Sequence, residues 1–590
     1  MQPDSKIRKV LPFLRPYRAK LAGLLLLTLG LSVLSMLPPL ITRAIIDRVI
    51  TPRDRSAFTM LAILMIALPI VNALCAYIQS LGMSYVGQRF VLDLRDGVYR
   101  HLLRLSMRFY GKHGVGMLVN RLMGDSGTVQ NMATAQTIGI ASDLVCSAFA
   151  VVAAFALNWR LAFLIFVVIA IFVINFRLSI TTIRRANRSY QSSLDRLSSG
   201  VTNRLQSSLA IKSYGTEDRE HDAFRGQSDT SIDLVKGLQF SNIRFWMNTS
   251  LLAEVGRSLI FFLGCAMVLM DQVTYGDVVA FTAYAMQLLW PAVRFSFLAR
   301  DIQDVEVAAD RLFEVMDEQP EIRSQPDARP VARLRGQVDF DRVSFHYEEG
   351  KPVIRGFDLH VKAGQTTAII GPTGCGKSTI LSLLLRFFDV TDGCLRLDGT
   401  DVRALDLATL RRQFGIVLQE PLLFTATIAD NIRYARPGAT RAEIENAARV
   451  AEIHDFIMTL PKGYDTLVGT EGVQISVGQK QRLTIARAVA ADPAILIMDE
   501  ATSSLDSESE RAIQSAMRRV LKDRTAFIVA HRLSTIRNAD NIVLMKEGRI
   551  VEMGGHDDLM KANGAYASLY LKHTGRDNLD DELLAKQGMG

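Results

Sequence analysis

Two long stretches without a charged residue place the strongest limit on how this chain can fold. Leu21 to Thr42 and Ala57 to Gln88 contain no Asp, Glu, Lys or Arg. Each is longer than the roughly 20 residues that a helix needs to cross the apolar core of a bilayer. These stretches therefore predict two membrane helices near the start of the chain.

Further apolar segments predict a membrane domain of six helices over residues 1–320. The third and fourth are separated by Arg160, which predicts a helical hairpin with a short turn at Asn158-Trp159-Arg160. The sixth contains Pro291. The predicted helices lie near 21–42, 58–86, 137–158, 161–177, 251–270 and 278–299.

The segments between these helices indicate the orientation of the chain. Residues 89–131 and 177–245 are long, polar and rich in Arg, so the positive-inside tendency places them in the cytosol together with both termini. Their apolar residues recur with helical spacing, which predicts long cytosolic extensions of the membrane helices. No signal-peptide cleavage site follows the first apolar segment, and we expect a multi-pass protein of a bacterial inner membrane.

Ionisable residues within the predicted helices have two interpretations. Glu254 and Arg257 lie one helical turn apart and can pair with each other, and arginines near a helix end usually extend to the membrane surface. Charge at bilayer depth also marks substrate pathways. Glu254, Arg294 and Arg300 are therefore candidate residues of a substrate cavity, in which the arginines would attract an anionic substrate.

Charge and cysteine content narrow the choice of partners. The 590-residue chain has a formal net charge of +8, but its Lys and Arg lie between apolar segments and do not form one stripe with aromatic residues. We therefore expect membrane lipid, and not nucleic acid, as a partner. The five cysteines are far apart in sequence and predict neither a disulfide framework nor a zinc site.

A second domain follows a charged, proline-containing linker over residues 317–337. Short β-rich runs alternate with helical patterns over residues 338–575, which is typical of a parallel α/β sheet whose ligands bind beyond the carboxyl ends of its strands. Residues 576–590 form a polar tail. The expected fold at this stage is an α-helical transmembrane domain followed by an α/β domain.

A glycine-rich loop directly after the strand Ala368-Ile369-Ile370 carries the strongest motif. Backbone N–H groups of such a loop and of the following helix bind the phosphates of ATP. Lys377 adds a positive charge, and the Ser378 hydroxyl binds Mg²⁺. The predicted ATP-binding loop, or P-loop, comprises Gly371, Pro372, Thr373, Gly374, Cys375, Gly376, Lys377, Ser378 and Thr379. The expected fold is therefore an α-helical transmembrane domain followed by an α/β P-loop nucleotide-binding domain.

Two adjacent acids end a second apolar strand, where Asp499 and Glu500 follow Ile495 to Met498. In an ATPase this arrangement suits a division of roles, in which Asp499 holds Mg²⁺ and Glu500 polarises the attacking water as the catalytic base. A structural ion pair is the alternative interpretation of these acids.

A third motif lies between the other two. Ile475-Ser476-Val477-Gly478-Gln479 resembles the signature sequence of ATP-binding-cassette (ABC) proteins, normally Leu-Ser-Gly-Gly-Gln. Nearly the whole chain resembles a half-size ABC exporter, with six membrane helices fused to one nucleotide-binding domain. The resemblance implies an ATPase that exports or flips a lipophilic or amphipathic substrate by alternating access.

The resemblance also implies roles for single residues. Tyr347 lies where an aromatic ring stacks on adenine, and Gln419 lies where a glutamine contacts ATP, Mg²⁺ and the attacking water. His531 resembles the catalytic histidine that holds the γ-phosphate. Ser504, Leu505 and Asp506 resemble the loop that crosses to the partner subunit.

The signature of this family completes the ATP site of the opposite subunit, so the resemblance implies a dimer. Ser476, Gly478 and Gln479 would bind ATP across that interface, and a homodimer is expected because one chain retains every part of the site. Val477 departs from the family pattern, and its Cβ is expected to crowd the approach to the γ-phosphate. Gly114 to Thr128 and Tyr214 to Asp218 correspond to coupling helices.

Other readings of the sequence stay open at this point. The chain can be one subunit of a heterodimeric exporter, or an ATP-gated channel or regulator that does not pump. The charge-free stretches argue against a soluble ABC protein that acts on nucleic acid. ATP and Mg²⁺ are the expected cofactors.

Overall fold

The computed structural model describes residues 9–132, 136–469, 472–499, 507–522, 524–529 and 536–574. The chain divides into two compact units. The first contains the residues up to Arg104 and His113–Glu318, and the second contains Leu105–Lys112 and the residues from Gln319 onward. The segment Leu105–Lys112 thus groups with the second unit, although the sequence places it between membrane helices.

Helices build the first half of the chain, and α4, α9 and α11 run far beyond the predicted membrane segments, as the helical periodicity predicted. The helices are α1 (Leu11–Leu14), α2 (Arg18–Leu34), α3 (Leu37–Ile45), α4 (Phe58–Leu102), α5 (Met107–Lys112), α6 (Val115–Asn120), α7 (Ser126–Asn131), α8 (Thr137–Leu157), α9 (Trp159–Gln206), α10 (Ser208–Tyr214), α11 (Glu217–Leu269) and α12 (Tyr275–Asp317).

Several of these helices can cross a membrane. In the part of the chain that the structure describes, five segments are long and apolar enough: Pro12–Ile50, Phe58–Leu102, Thr137–Leu157, Trp159–Gln206 and Glu217–Leu269. The sixth predicted crossing lies in α12, which is not one of these described segments, so it stays a prediction.

Local chemistry sets the helix ends. The first predicted helix is interrupted between α2 and α3 because Pro38 and Pro39 lack the N–H groups that would continue the hydrogen-bond ladder. The buried Tyr284 hydroxyl donates to the Met36 carbonyl at this break, at 2.8 Å. The predicted short turn is also present, since the Asn158 side chain caps α9 by accepting from the N–H groups of Arg160 and Leu161.

Strands and shorter helices build the second unit. The strands are β1 (Val338–His346), β2 (Pro352–Val361), β3 (Thr366–Ile370), β4 (Asp392–Leu397), β5 (Thr400–Asp401), β6 (Phe414–Val417), β7 (Ala426–Thr427), β8 (Leu467–Val468), β9 (Ile495–Asp499), β10 (Thr525–Val529), β11 (Asn541–Lys546) and β12 (Arg549–Gly554). The helices are α13 (Lys377–Leu384), α14 (Leu407–Arg411), α15 (Ile428–Arg433), α16 (Arg441–Val450), α17 (His454–Thr459), α18 (Val477–Ala490), α19 (Ser507–Leu521), α20 (His556–Lys561) and α21 (Ala565–Thr574).

The strands of the second unit form mixed sheets. The largest has the order β12-β11-β3-β10-β9-β6 and is parallel except for its edge strand β12. An antiparallel sheet has the order β2-β1-β4-β5, and the sequence reading, which predicted a parallel sheet, did not foresee it. Successive residues of β3 face opposite cores, because Ala368 and Ile370 belong to one buried cluster and Ile369 to the other.

The predicted linker continues from α12 without a helix and lies along the second unit. The Arg329 N–H donates to the Ala404 carbonyl at 2.9 Å, and the Leu334 N–H donates to the Gln413 side chain at 3.1 Å. The N–H groups of Arg335 and Gly336 donate to the Asp398 carboxylate. This segment is therefore part of the second unit and not a free tether.

Candidate functional site

The parallel strands of the large sheet end together at one edge. Ile369 of β3 lies beside Val529 of β10, Val529 lies beside Asp499 of β9, and Met498 lies beside Val417 of β6. The residues that follow these strands therefore emerge at the same edge, where parallel sheets bind their ligands. The glycine-rich loop, Gln419 and Asp499 meet this expectation.

Glycine is required in the loop after β3 because the backbone takes conformations that other residues avoid. Gly371 has φ +148° and Gly376 has φ +105°. A Cβ on Gly371 would lie 2.2 Å from the Met545 carbonyl oxygen, and one on Gly376 would lie 2.5 Å from Ile354 Cδ1. The loop thus packs its backbone against β2 and β11 and leaves no room for side chains at these positions.

The lysine of the loop is held in place by the loop itself. Lys377 Nζ donates to the carbonyl oxygens of Gly371 at 2.8 Å and Pro372 at 3.0 Å. Lys377 begins α13, whose N-terminal N–H groups have no partner within the helix. The Cys375 side chain is 4% exposed and belongs to the buried core, so this residue can offer a ligand only its backbone.

The predicted adenine ring partner lies beside the loop. The Tyr347 hydroxyl is 3.2 Å from Thr379 Oγ1 in α13. Its ring is perpendicular to those of Phe345 and Phe388, with centroids 4.9 Å and 5.2 Å away, yet it remains 40% exposed. A partly exposed ring that is fixed by aromatic neighbours suits stacking on a nucleobase.

The predicted Mg²⁺ donors fit that ion chemically. Ser378 and Gln419 are exposed, and Asp499 is half-buried at the end of β9. A hydroxyl, an amide oxygen and a carboxylate are hard oxygen ligands of the kind that Mg²⁺ prefers, with water and phosphate oxygens completing its shell.

The signature motif forms the N-terminus of α18. The Ser476 hydroxyl accepts from the Gln479 N–H at 3.2 Å, and Gln479 Oε1 accepts from the Ser476 N–H at 2.8 Å. This capping box leaves the N–H groups of Val477 and Gly478 without a partner in the helix. The Val477 side chain is 51% exposed, so the motif presents a helix N-terminus at the protein surface.

A polar network that the sequence reading missed supports the segment on both sides of Gln419. The Arg487 guanidinium donates to the Leu422 carbonyl at 2.9 Å and to Asn431 Oδ1 at 2.8 Å, and burial lowers the pKa of Arg487. Gln481 Nε2 donates to the Leu418 carbonyl at 3.4 Å. Arg487 and Gln481 both lie on α18, so this helix holds the Gln419 segment. Their place on the signature helix was the only sequence signal for such a role.

The segment Leu105–Lys112 contributes to the second unit through an arginine. Arg108 Nη1 lies 3.1 Å from Glu321 Oε1, and the guanidinium lies 5.9 Å from the centre of the Phe388 ring, which also contacts Tyr347. The family resemblance assigned a coupling role to Gly114 to Thr128, and that role stays a prediction. Leu105–Lys112 ends two positions before this range.

Two of the charged residues predicted to line the substrate cavity, Glu254 and Arg294, form ion pairs with residues of opposite charge. Arg257 Nη2 lies 2.5 Å from Glu254 Oε2, the pairing that the sequence offered as one interpretation. Arg294 Nη1 lies 3.0 Å from Asp143 Oδ2. The Arg300 side chain lies outside the described residues, and the cavity itself stays a prediction.

Several predicted site residues fall outside the part of the chain that the structure describes. They are Glu500, Ser504, Leu505, Asp506 and His531. Their assigned roles rest on the sequence, although Glu500 directly follows Asp499 and His531 lies two positions after the end of β10.

Taken together, the fold and the site define a class: a helical membrane protein with a P-loop ATPase domain. Comparison with known protein families shows which family within this class the chain belongs to. Residues 21–292 match the family model of the ABC transporter transmembrane region, and residues 354–503 match the family model described as ABC transporter. The chain belongs to the ABC transporters and is a half-size exporter, an ATPase coupled to the movement of substances across a membrane.

Relatives match almost the full length of the chain. An ATP-dependent lipid A-core flippase of Syntrophus aciditrophicus is 31% identical over 98% of this chain and 96% of its own length. A putative multidrug export ATP-binding/permease protein of Bacillus subtilis is 33% identical over 96% of this chain and 98% of its own. A bacterial Atm1-family ABC exporter solved with ATP bound has a TM-score of 0.79 at 29% identity, covering 94% of this chain and 98% of that one.

Proposed function

We propose that two copies of this chain form an exporter in a bacterial inner membrane that moves a lipophilic or amphipathic substrate out of the cytosolic leaflet. Each ATP, with Mg²⁺, binds between the P-loop of one copy and the signature motif of the other. Both termini lie in the cytosol. The relatives named as a lipid flippase and as a multidrug exporter support an apolar or amphipathic substrate.

The exposed signature is the observation that carries this proposal. Ser476 and Val477 are exposed at the start of α18, and two N–H groups there have no partner within the helix. A helix N-terminus of this kind favours an anion such as a phosphate. Within one copy, the polar contacts of Ser476 and Gln479 are those of their own capping box. The phosphate of an ATP bound to a second copy would be the anion that this helix N-terminus favours.

The tip between α9 and α11 supports a second copy as the partner. Leu205, Leu209 and Tyr214 are 70%, 80% and 82% exposed. Apolar side chains grouped on a polar tip indicate a surface that another protein covers. The second copy is the partner that the divided ATP site already requires.

The residues of the site divide the chemistry of hydrolysis. Lys377 and the loop N–H groups bind the phosphates, and Tyr347 orients the base. Mg²⁺, held by Ser378, Gln419 and Asp499, would offset the phosphate charge when bound. Glu500 would accept a proton from the attacking water, and His531 would hold the terminal phosphate.

Reconstitution into lipid vesicles tests this function. Wild-type protein is expected to hydrolyse ATP and to accumulate a lipophilic cationic dye or a fluorescent lipid against its gradient. Glu500→Gln should reduce turnover by about 10²-fold or more while retaining ATP binding, since a general base contributes that much. Glu349→Gln, an exposed acid of the same domain, is the matched control. Purely downhill flux in the presence of ATP would instead indicate a channel.

A further inference from the structure

An arginine of the segment Leu105–Lys112 lies next to the aromatic residues that surround Tyr347. This segment groups with the second unit, and Leu105 and Phe109, on either side of Arg108, are buried. The Arg108 side chain itself is 34% exposed. Because the buried residues fix the backbone on both sides, packing determines where the arginine lies.

The Arg108 guanidinium has an acidic neighbour and an aromatic one. Nη1 lies 3.1 Å from Glu321 Oε1, and the guanidinium carbon lies over the Phe388 ring, 5.9 Å from its centre. A cation within about 6 Å of a ring centre is attracted to the face of that ring. Nε of Arg108 is buried and has no hydrogen-bond acceptor among the described residues. In this part of the structure, Glu321 and the Phe388 ring therefore hold the side chain.

Phe388 connects this arginine to the ring that is predicted to bind adenine. It is 9% exposed and follows α13, the helix that begins at Lys377 of the P-loop. Its ring is perpendicular to the Tyr347 ring, with the two centroids 5.2 Å apart. Phe345 contacts both rings. Phe388 thus contacts both Arg108 and the ring on which the base would stack.

The Tyr347 ring depends on its side-chain neighbours for its orientation. Tyr347 directly follows β1, which ends at His346, and it is 40% exposed. A binding residue is held in a productive orientation when neighbouring side chains restrict its rotamer. Such preorganisation increases affinity, because less freedom is lost when the ligand binds. Removal of a group that holds Phe388 is therefore expected to weaken the binding of the base.

We propose that Arg108 is a positioning residue for ATP, which holds Phe388 and through it keeps the Tyr347 ring in place for the base. The alternative is a simple ion pair with Glu321 at the surface, which would contribute little and would not affect ATP. The inference rests on the proposed stacking of adenine on Tyr347. It adds a residue that lies between two membrane helices in sequence to those that set the affinity for ATP.

A double-mutant cycle on the full-length protein in lipid vesicles tests this role. Arg108→Gln should raise the KM for ATP about threefold, the effect of losing a partly exposed cation–π contact. Its kcat should stay within about twofold of the wild type, because Arg108 acts on the base and not on the reacting phosphate. In a Tyr347→Ala background the ring is absent, so Arg108→Gln should cause no further increase in KM.

A matched control separates the contact from the charge. Arg104→Gln removes the same charge four positions earlier, at an exposed position, and should leave the KM unchanged. Thermal unfolding without nucleotide checks that each variant is folded. General damage to the domain would raise the KM in both backgrounds, whereas the proposed role raises it only where Tyr347 is present.

Three results would overturn the proposal. A KM that Arg108→Gln leaves unchanged shows that the arginine has no role in ATP binding. An equal increase with and without the Tyr347 ring shows that Arg108 acts by another route. A lower kcat at unchanged KM assigns Arg108 to a later step. Failure of the underlying stacking is seen separately, because Tyr347→Ala alone would then leave the KM unchanged, and the inference would fall with it.

Discussion

The two parts of the proposed ATP site differ in how strictly this chain determines them. The P-loop part is fixed by the chain itself: Gly371 has no room for a Cβ, and Lys377 binds carbonyls of its own loop. The signature part is a surface: Ser476 is exposed, and Val477 is 51% exposed at the start of α18. Exposed residues can usually be replaced without loss of the fold. The residue types at these positions are therefore limited by the partner that binds them.

The largest effect is expected in the P-loop part. Gly371→Ala places a Cβ 2.2 Å from the Met545 carbonyl at a φ that favours glycine, and should destabilise the second domain by about 2 kcal/mol or more and abolish ATP binding. Thermal unfolding and binding of a fluorescent ATP analogue measure both effects. Gly399→Ala, which lies outside the loop, is the control: its φ is +80° but its Cβ meets no atom within 4 Å, so it should cost only about 1 kcal/mol and preserve ATP binding. Normal ATP binding by Gly371→Ala would refute the steric argument.

The signature part is probed by a pair of variants of the capping box. Ser476→Ala and Gln479→Ala should each lower the stability of α18 by about 1 kcal/mol. Ser476→Ala should also lower ATP turnover about tenfold, because a hydrogen bond to a charged phosphate is lost. The family resemblance gives Gln479 a contact with ATP, but its side chain here accepts from the Ser476 N–H, so Gln479→Ala should lower turnover less than Ser476→Ala does. Equal losses of turnover in the two variants would contradict a separate role of the Ser476 hydroxyl at the phosphate.

The aromatic partner of the P-loop is expected to have a smaller effect. Tyr347→Ala should raise the KM for ATP about tenfold, since stacking of a base on an aromatic ring contributes about 1–3 kcal/mol. Tyr347→Phe keeps the ring and removes only the contact with Thr379 Oγ1, so its KM should stay within about twofold of the wild type. An equal increase in both variants would assign the role to the hydroxyl.

The smallest effect is expected at Val477, where this chain departs from the signature pattern. Val477→Gly removes the exposed side chain at the start of α18 and should raise ATP turnover at limiting ATP about threefold, the effect of relieving a small steric conflict. The domain should lose less than about 1 kcal/mol, the cost of a glycine in a helix. Val477→Leu, with a larger side chain, should change turnover in the opposite direction. Unchanged turnover in both variants would show that the Val477 side chain does not affect the approach to ATP.

The sequence predicted those features that depend on local chemistry. The charge-free stretches predicted membrane helices, the turn at Asn158 was predicted from the hairpin pattern, and the glycine loop after Ile370 was placed correctly on its strand. These signals are visible because bilayer thickness, helix capping and positive φ each restrict residue types at fixed spacings.

Features that depend on distant contacts were not predictable. The pairing of Arg294 with Asp143 and the grouping of Leu105–Lys112 with the second unit join residues that are far apart in sequence. The antiparallel sheet of β1, β2, β4 and β5 was missed because the parallel strands carry the stronger pattern. The interruption after Leu34 was missed although Pro38 and Pro39 could have revealed it.

The most direct test of the divided ATP site uses dimers with defined mixtures of two variants, isolated by two different affinity tags. Lys377→Ala disables the P-loop part, and Ser476→Arg disables the signature part. If each ATP lies between two copies, a dimer with the two changes on separate chains keeps one intact site, whereas a dimer with both changes on one chain and a wild-type partner keeps none.

Occlusion of labelled ATP in a Glu500→Gln background reads out this experiment. We predict one occluded ATP per dimer when the changes are on separate chains and background occlusion when they share a chain. The reverse result, with occlusion retained when both changes share one chain, would show that each ATP site is formed within a single copy and would contradict the account.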